Sequence, residues 1–217
     1  MTRILAVADE VEETLYGERL RELRPDLVLS CGDLPFDYLE RLVSMTDVPL
    51  LYVPGNHDPD LRATAPTLEP SPFLDQYVDP PGPPGCTFVD GRIVEAAGVR
   101  VAGLGGSARY REGPNQYTQS QMRWRALRLE IRARLKGFRN GRGIDVLITH
   151  APPLGLGDED DPAHRGFAAF HRLVGKLSPK LMVHGHVHPY GSPRPDRRLG
   201  PTQVVNAVGH RVLELER

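Results

Sequence analysis

The sequence predicts an α/β fold in which short buried strands carry polar side chains to one edge of a sheet. Three observations carry this expectation. Apolar runs alternate with helical stretches through the first quarter of the chain, the pattern of parallel strands joined by right-handed crossovers. Each of those runs stops at a carboxylate or an imidazole, where open α/β sheets bind ligands. The second half opens on alternating runs separated by Asp90-Gly91 and Gly98, which read as hairpins and add antiparallel strands. A chain of 217 residues can bury a core without disulfide or metal staples. With no repeat and no dividing linker, residues 1–217 read as one domain.

The elements follow in order. Residues 4–8 form an apolar run that stops at Asp9. Residues 12–24 read as a helix with Tyr16, Leu20 and Leu23 on one face, ended by Pro25. Residues 27–29 make a second strand, leading into Ser30-Cys31-Gly32-Asp33, and 38–45 a second helix. Residues 50–53 make a third strand, which breaks at Pro54-Gly55 and delivers Asn56, His57 and Asp58. Residues 60–85 are rich in proline and read as a long surface excursion. Three alternating runs follow, at 87–89, 92–96 and 99–104.

Gly103-Leu104-Gly105-Gly106-Ser107-Ala108 has the spacing of a dinucleotide fingerprint, but Gly113-Pro114 breaks the helix that such a site needs. A tight loop beside the site is the expectation. Residues 118–136 are the clearest helix, with a Thr118/Gln121 capping box, Gly137 as its stop and Trp124 as a core anchor in an apolar stripe with Leu127, Ile131 and Leu135. Residues 144–149 deliver His150, and a helix is expected from Asp161-Pro162, burying Phe167, Phe170 and Leu173. Residues 181–183 deliver His184-Gly185-His186-Val187-His188, and 203–206 and 211–215 read as closing strands.

Composition excludes several classes. A net charge of −1 gives no general attraction for nucleic acid, and the arginines of 118–136 read as a solvated face. Two cysteines, Cys31 and Cys86, form no framework and fit a reducing, cytoplasmic compartment. No run is long enough to span a membrane, and the short apolar start before acidic residues does not make a signal peptide.

The residues at the strand ends are Asp9, Asp33, Asn56, His57, His150, His186 and His188. Oxygen and imidazole donors without thiolate suit Mn, Fe, Zn or Co and not a structural zinc site. Two such ions sharing a carboxylate are a recurrent device for hydrolysing phosphate esters.

In order and type, Asp9, Gly32-Asp33, Gly55-Asn56-His57-Asp58, His150 and Gly185-His186-Val187-His188 resemble the signature of calcineurin-like metallophosphoesterases, from residue 9 to 188. The resemblance implies a four-layer α/β/β/α sandwich with two mixed sheets. It implies two divalent ions: Asp33 bridges them, Asn56, His150 and His186 complete the second site, and Asp9 and His188 hold the first. It implies attack on the phosphorus by a metal-bound hydroxide, with His57 protonating the leaving oxygen and Asp58 orienting His57. One position departs: the family's Asp-x-His opening is Asp9-Glu10-Val11 here. Valine cannot ligate, so the first ion is expected to bind more weakly, unless Glu10, Glu12 or Glu13 substitutes.

Arg109 reads either as a phosphate clamp or as a solvated arginine. His164 reads as a substrate contact, a replacement ligand or a surface residue. The expected function is hydrolysis of a phosphomonoester or phosphodiester. A metal-binding scaffold with little turnover, or a nuclease, is the alternative. The substrate and the oligomeric state are open.

Overall fold

The apolar runs become strands and sort into two sheets packed face to face. A computed structural model of the chain describes residues 1–61, 82–140, 143–191 and 195–216, with backbone alone for 136–140. Most of the proline-rich excursion, including Pro66, Pro70, Pro72, Pro80 and Pro81, lies outside the described residues. The first half contributes β1 (Thr2–Ala8), a 3-10 turn (Glu13–Tyr16), α1 (Glu18–Leu23), β2 (Leu27–Ser30), α2 (Phe36–Thr46), β3 (Leu50–Tyr52) and β4 (Cys86–Phe88). The second contributes β5 (Ile93–Ala96), β6 (Val99–Leu104), β7 (Ser107–Ala108), β8 (Gln116–Tyr117), α3 (Gln119–Asn140), β9 (Val146–Thr149) and α4 (Ala169–Leu177). It closes with β10 (Leu181–His184), β11 (Arg197–Leu199), β12 (Thr202–Asn206) and β13 (Gly209–Leu215).

One large sheet has the order β13-β1-β2-β3-β4 and the other β11-β12-β10-β9-β6-β5, while β7 and β8 pair in a small third sheet. Both large sheets are mixed: β13 runs antiparallel to β1, β11 to β12 and β5 to β6, while the central pairs are parallel. Alternation sorts each strand between two cores. In β1, Ile4, Ala6 and Ala8 face the other sheet, where they meet Ile148, Val183 and Val205. Leu5 and Val7 face outward and pack with Leu20, Tyr38 and Leu42 of α1 and α2. On the far side, Leu147 and Met182 pack with Met122, Leu129, Phe170 and Leu173 of α3 and α4. Strands covered on both faces are apolar at every position, which is why they read as continuous runs. The result is a four-layer α/β/β/α sandwich.

Register aligns the strand ends. Val7 pairs with Ser30 and Ser30 with Tyr52, so Asp9, Asp33 and Asn56 leave three adjacent strands at one level. In the facing sheet Val183 pairs with Ile148, and the Gly185 amide donates to the His150 carbonyl at 2.9 Å. The carboxyl ends of both sheets therefore open on the same rim.

Five expectations are corrected. The helix over 12–24 is split at Gly17, whose backbone is extended (φ −126°, ψ −153°). Glycine resists helix, and the Glu12 carboxylate accepts from the Thr14 amide and hydroxyl, nucleating the 3-10 turn instead. The strand at 86–88 is parallel to β3, not part of a hairpin. Asp90-Gly91 carries the chain from one sheet to the other, whereas Ala97 (φ 49°) and Gly98 (φ 74°) do form the hairpin turn between β5 and β6. The helix expected from Asp161 starts only at Ala169, because the Asp161 carboxylate closes a local turn by accepting from the amides of Ala163 and His164.

Gly137 does not stop α3, which runs to Asn140, although the Thr118/Gln121 capping box forms as expected. Finally, Trp124 is no core anchor. It is 64 % exposed, and Ile131 and Leu135 beside it are also exposed. The face of α3 that meets the sheet is Met122, Ala126, Leu129 and Ala133.

The loop at 103–108 does approach the rim. The Gly106 amide donates to the Pro54 carbonyl at 2.8 Å, and a side chain at Gly105 would meet that carbonyl at 2.4 Å. Asp90 and Arg125 hold it. The fully buried Asp90 carboxylate accepts from the Gly105 amide (2.8 Å) and from Arg125 (2.5 Å), and Arg125 also donates to the Gly105 carbonyl. The guanidinium lies over the Tyr117 ring at 3.9 Å. Removing Arg125 takes one charged partner from a buried carboxylate. Arg125→Ala is expected to cost about 3–5 kcal/mol in urea unfolding; a loss under about 1 kcal/mol, the range of an exposed pair, would show that the latch carries no load.

Candidate metal centre

Asp9, Asp33, His150 and His186 meet at the shared rim, each offering one ligand atom, with those atoms all within 4.8 Å of one another. They come from the ends of β1, β2, β9 and β10. Asp9, Asp33 and His186 each take a left-handed backbone conformation, with φ of 60°, 57° and 69°. That conformation costs a non-glycine residue about 1–2 kcal/mol, and such positions gather at functional sites where neighbours over-determine them.

Those neighbours are visible. The Asp9 amide donates to the Gly32 carbonyl at 3.1 Å, and the His186 amide donates to Asp9 Oδ2 at 2.9 Å. The His57 amide donates to Asp33 Oδ1 at 2.8 Å. Gly55 and Gly185 have room only for hydrogen: a Cβ would lie 2.0 Å from Asp33 Oδ1 in the first case and 2.3 Å from Asp9 Oδ2 in the second.

Both imidazoles are locked by carbonyls. His150 Nδ1 lies 2.8 Å from the Cys31 carbonyl, so it is the donor and Nε2 faces Asn56 Oδ1 (3.1 Å) and Asp33 Oδ2 (3.3 Å). His186 Nε2 lies 2.7 Å from the Ala163 carbonyl, which leaves Nδ1 as its ligand atom. Second partners of this kind fix the tautomer of metal-bound histidine. Divalent ions of the zinc type bind such donors at about 2.0–2.2 Å, so donors across one ion stand up to about 4.4 Å apart, close to the span seen here. The residues fit a divalent cation.

Electrostatics agree. Burial pushes the Asp9 carboxyl up to about 6 against the pull of His150. Burial acts the same way on Asp33, but the charge and hydrogen bond of His150 outweigh it and hold the carboxyl at about 2. His150 is buried too, yet Asp33 raises it to about 9. Burial and the adjacent His150 drive His186 down to about 3. Two carboxylates thus face a single imidazolium, and the negative charge left over is one that a bound cation would neutralise.

The other expected residues take these places. Asn56 is buried against His150. His57 is exposed, and its imidazole has no hydrogen bond among the described residues. Among the described residues Asp58 makes no hydrogen bond to the His57 imidazole. Its Oδ2 accepts from the amides of Gly55 (2.7 Å) and Asp33 (2.9 Å), tying two strand ends together, and burial raises its carboxyl. His188 is paired with Glu10, Nδ1 to Oε1 at 2.8 Å. Arg109 is held at the start of α3 by the Gln116 carbonyl and Gln121, both at 3.3 Å and neither part of the cluster. His164 lies with its ring centroid 5.3 Å from that of His186, and its Nδ1 is bound to Asp161 at 2.9 Å. With Glu159 and Asp161 it makes a second, half-buried group of cation-type donors. The carbonyls of Cys31 and Ala163 and the Glu10 partner have no signature in residue type, apart from the excess of acids after Asp9.

The joined ends of the two sheets thus fix oxygen and nitrogen donors that could hold a divalent ion. The profile of calcineurin-like phosphoesterases matches residues 4–190, and the chain belongs to that family. An uncharacterized protein of Haemophilus influenzae is 26 % identical over 191 residues, covering 78 % of this chain and 75 % of that protein. One solved structure superposes with a TM-score of 0.63 at 17 % identity, covering 99 % of both chains. TT1561 of Thermus thermophilus superposes at 0.60 with 19 % identity, covering 96 % of this chain and 89 % of that one. Both share the fold. Among the described residues no helix is long and apolar enough to cross a membrane.

Proposed function

We propose that residues 1–217 are one catalytic domain that hydrolyses a phosphomonoester or phosphodiester with two divalent ions. The observation that carries the reading is the convergence of Asp9, Asp33, His150 and His186 on one point beside an exposed imidazole, His57. Asp33 would serve both ions, Asn56, His150 and His186 would hold the second, and Asp9 and His188 would hold the first. Bound ions would acidify water and neutralise charge on the phosphoryl oxygens. His57 is the proton donor to the leaving oxygen, held over the site by its own amide on Asp33. Asp58 acts through the backbone of Asp33 and Gly55. Arg109 and His164 stand as contacts to substrate phosphate. Two free cysteines support a cytoplasmic setting.

A scaffold that holds metal without turnover is the second reading, favoured by Val11. The two separate on an aryl phosphodiester and an aryl phosphomonoester, each supplied with manganese, zinc, iron or cobalt. Hydrolysis of either ester that stops on chelation and returns with metal is expected. A protein that retains metal and turns over neither ester would establish the scaffold.

A further inference from the structure

The first metal position lacks the imidazole that the family signature places two residues after Asp9, because Val11 stands there, 38 % exposed. The residue between them, Glu10, reaches His188. The Glu10 amide donates to the Ala8 carbonyl at 2.6 Å, so the chain reverses tightly about Asp9 at the end of β1. That reversal brings the Glu10 side chain to His188, with Oε1 at 2.8 Å from Nδ1. A carboxylate only accepts, so Nδ1 carries the proton and the lone pair that a metal can use is on Nε2. The Tyr190 ring packs against His188 with centroids 6.1 Å apart. The neighbouring acid Glu12 is committed elsewhere, to Thr14 and to His210 at 3.3 Å.

We propose that Glu10 lets this chain keep an ion at the first position without the family's histidine. It acts as a positioning residue: its 2.8 Å contact fixes the tautomer and orientation of His188 and adds one negative charge next to Asp9 in the chain. Carboxylate–histidine pairs of this kind change metal affinity by about 10–100-fold. The inference rests on the two-ion reading of the site, and its test reads metal binding and not turnover.

The experiment is manganese binding by calorimetry to dialysed wild type, Glu10→Ala and Glu10→Gln, with a thermal melt of each. Wild type is expected to bind two ions of unequal affinity. Glu10→Ala is expected to weaken one class by about 10–100-fold and leave the other class and the melting temperature unchanged. Glu10→Gln is expected to fall between, because its amide oxygen still accepts from His188 but carries no charge. Binding by Glu10→Ala that matches wild type in both classes overturns the proposal and leaves the phosphoesterase reading standing. Equal weakening of both classes with a lower melting temperature overturns it as well, by making Glu10 a structural residue. A wild type that binds no manganese, zinc or cobalt overturns both.

Discussion

His57→Ala is expected to lower turnover by about 10²–10⁴ while leaving metal content unchanged. The contrast follows from how the residue is attached. Its backbone belongs to the centre, with the amide donating to Asp33 Oδ1 at 2.8 Å, and that bond is kept when the side chain becomes alanine. Its imidazole stands in solvent outside the cluster of ligand atoms. The deficit should also depend on the leaving group. Nitrophenolate departs without a proton and an alkoxide does not, so the ratio of wild-type to variant rate should grow as the leaving group becomes more basic. A variant as slow on nitrophenyl esters as on alkyl esters would remove His57 from proton transfer.

Gly55→Ala is expected to dismantle the centre. A single methyl there would lie 2.0 Å from Asp33 Oδ1 and 2.7 Å from His150 Cε1, and neither neighbour has room to retreat. Asp33 is held by the amide of His57 and His150 by the Cys31 carbonyl. Overpacking of this kind costs about 1–3 kcal/mol in a well-packed core, and here it also drives apart two proposed ligands. Both a lower melting temperature and loss of manganese binding should be measured. Gly175→Ala in α4 is the matched comparison: nothing lies within 4 Å of the added carbon, so it should be neutral or stabilising. Normal metal content in Gly55→Ala would mean that the strand end is pliable.

Much of the centre was legible because parallel strands buried on both faces read as unbroken apolar runs. Their ends are therefore visible, and Asp9, Asp33, Asn56 and His150 stand at or just beyond those ends. What stayed hidden depended on choices that local pattern does not encode. Helix α3 offers two apolar faces. The stripe of large residues, Trp124, Ile131 and Leu135, attracts the eye, but the sheet selects the face with Ala126 and Ala133, whose small side chains let the helix lie close. Strand β4 carries no mark of its parallel pairing, since its partner β3 lies more than thirty residues earlier, between Leu50 and Tyr52. Asp58 looked like a partner for the side chain next to it. Amides outcompeted that imidazole, and backbone donors are not visible in residue type. The Cys31 and Ala163 carbonyls that lock the histidines were hidden for the same reason.

The pairing of β1 with β13 has a bearing on how the molecule is assembled. Seven residues of the opening strand, Thr2 to Ala8, find their antiparallel neighbours only between Gly209 and Leu215. Closing so long a loop comes late in folding, because distant contacts reward the entropy of closure only once the intervening chain is ordered. Asp9 hangs on that strand, and its tie to the His186 amide spans 177 positions. Asp9 and His186 therefore cannot be brought together on a partly synthesised chain, and the proposed ion site waits on the docking of both sheets.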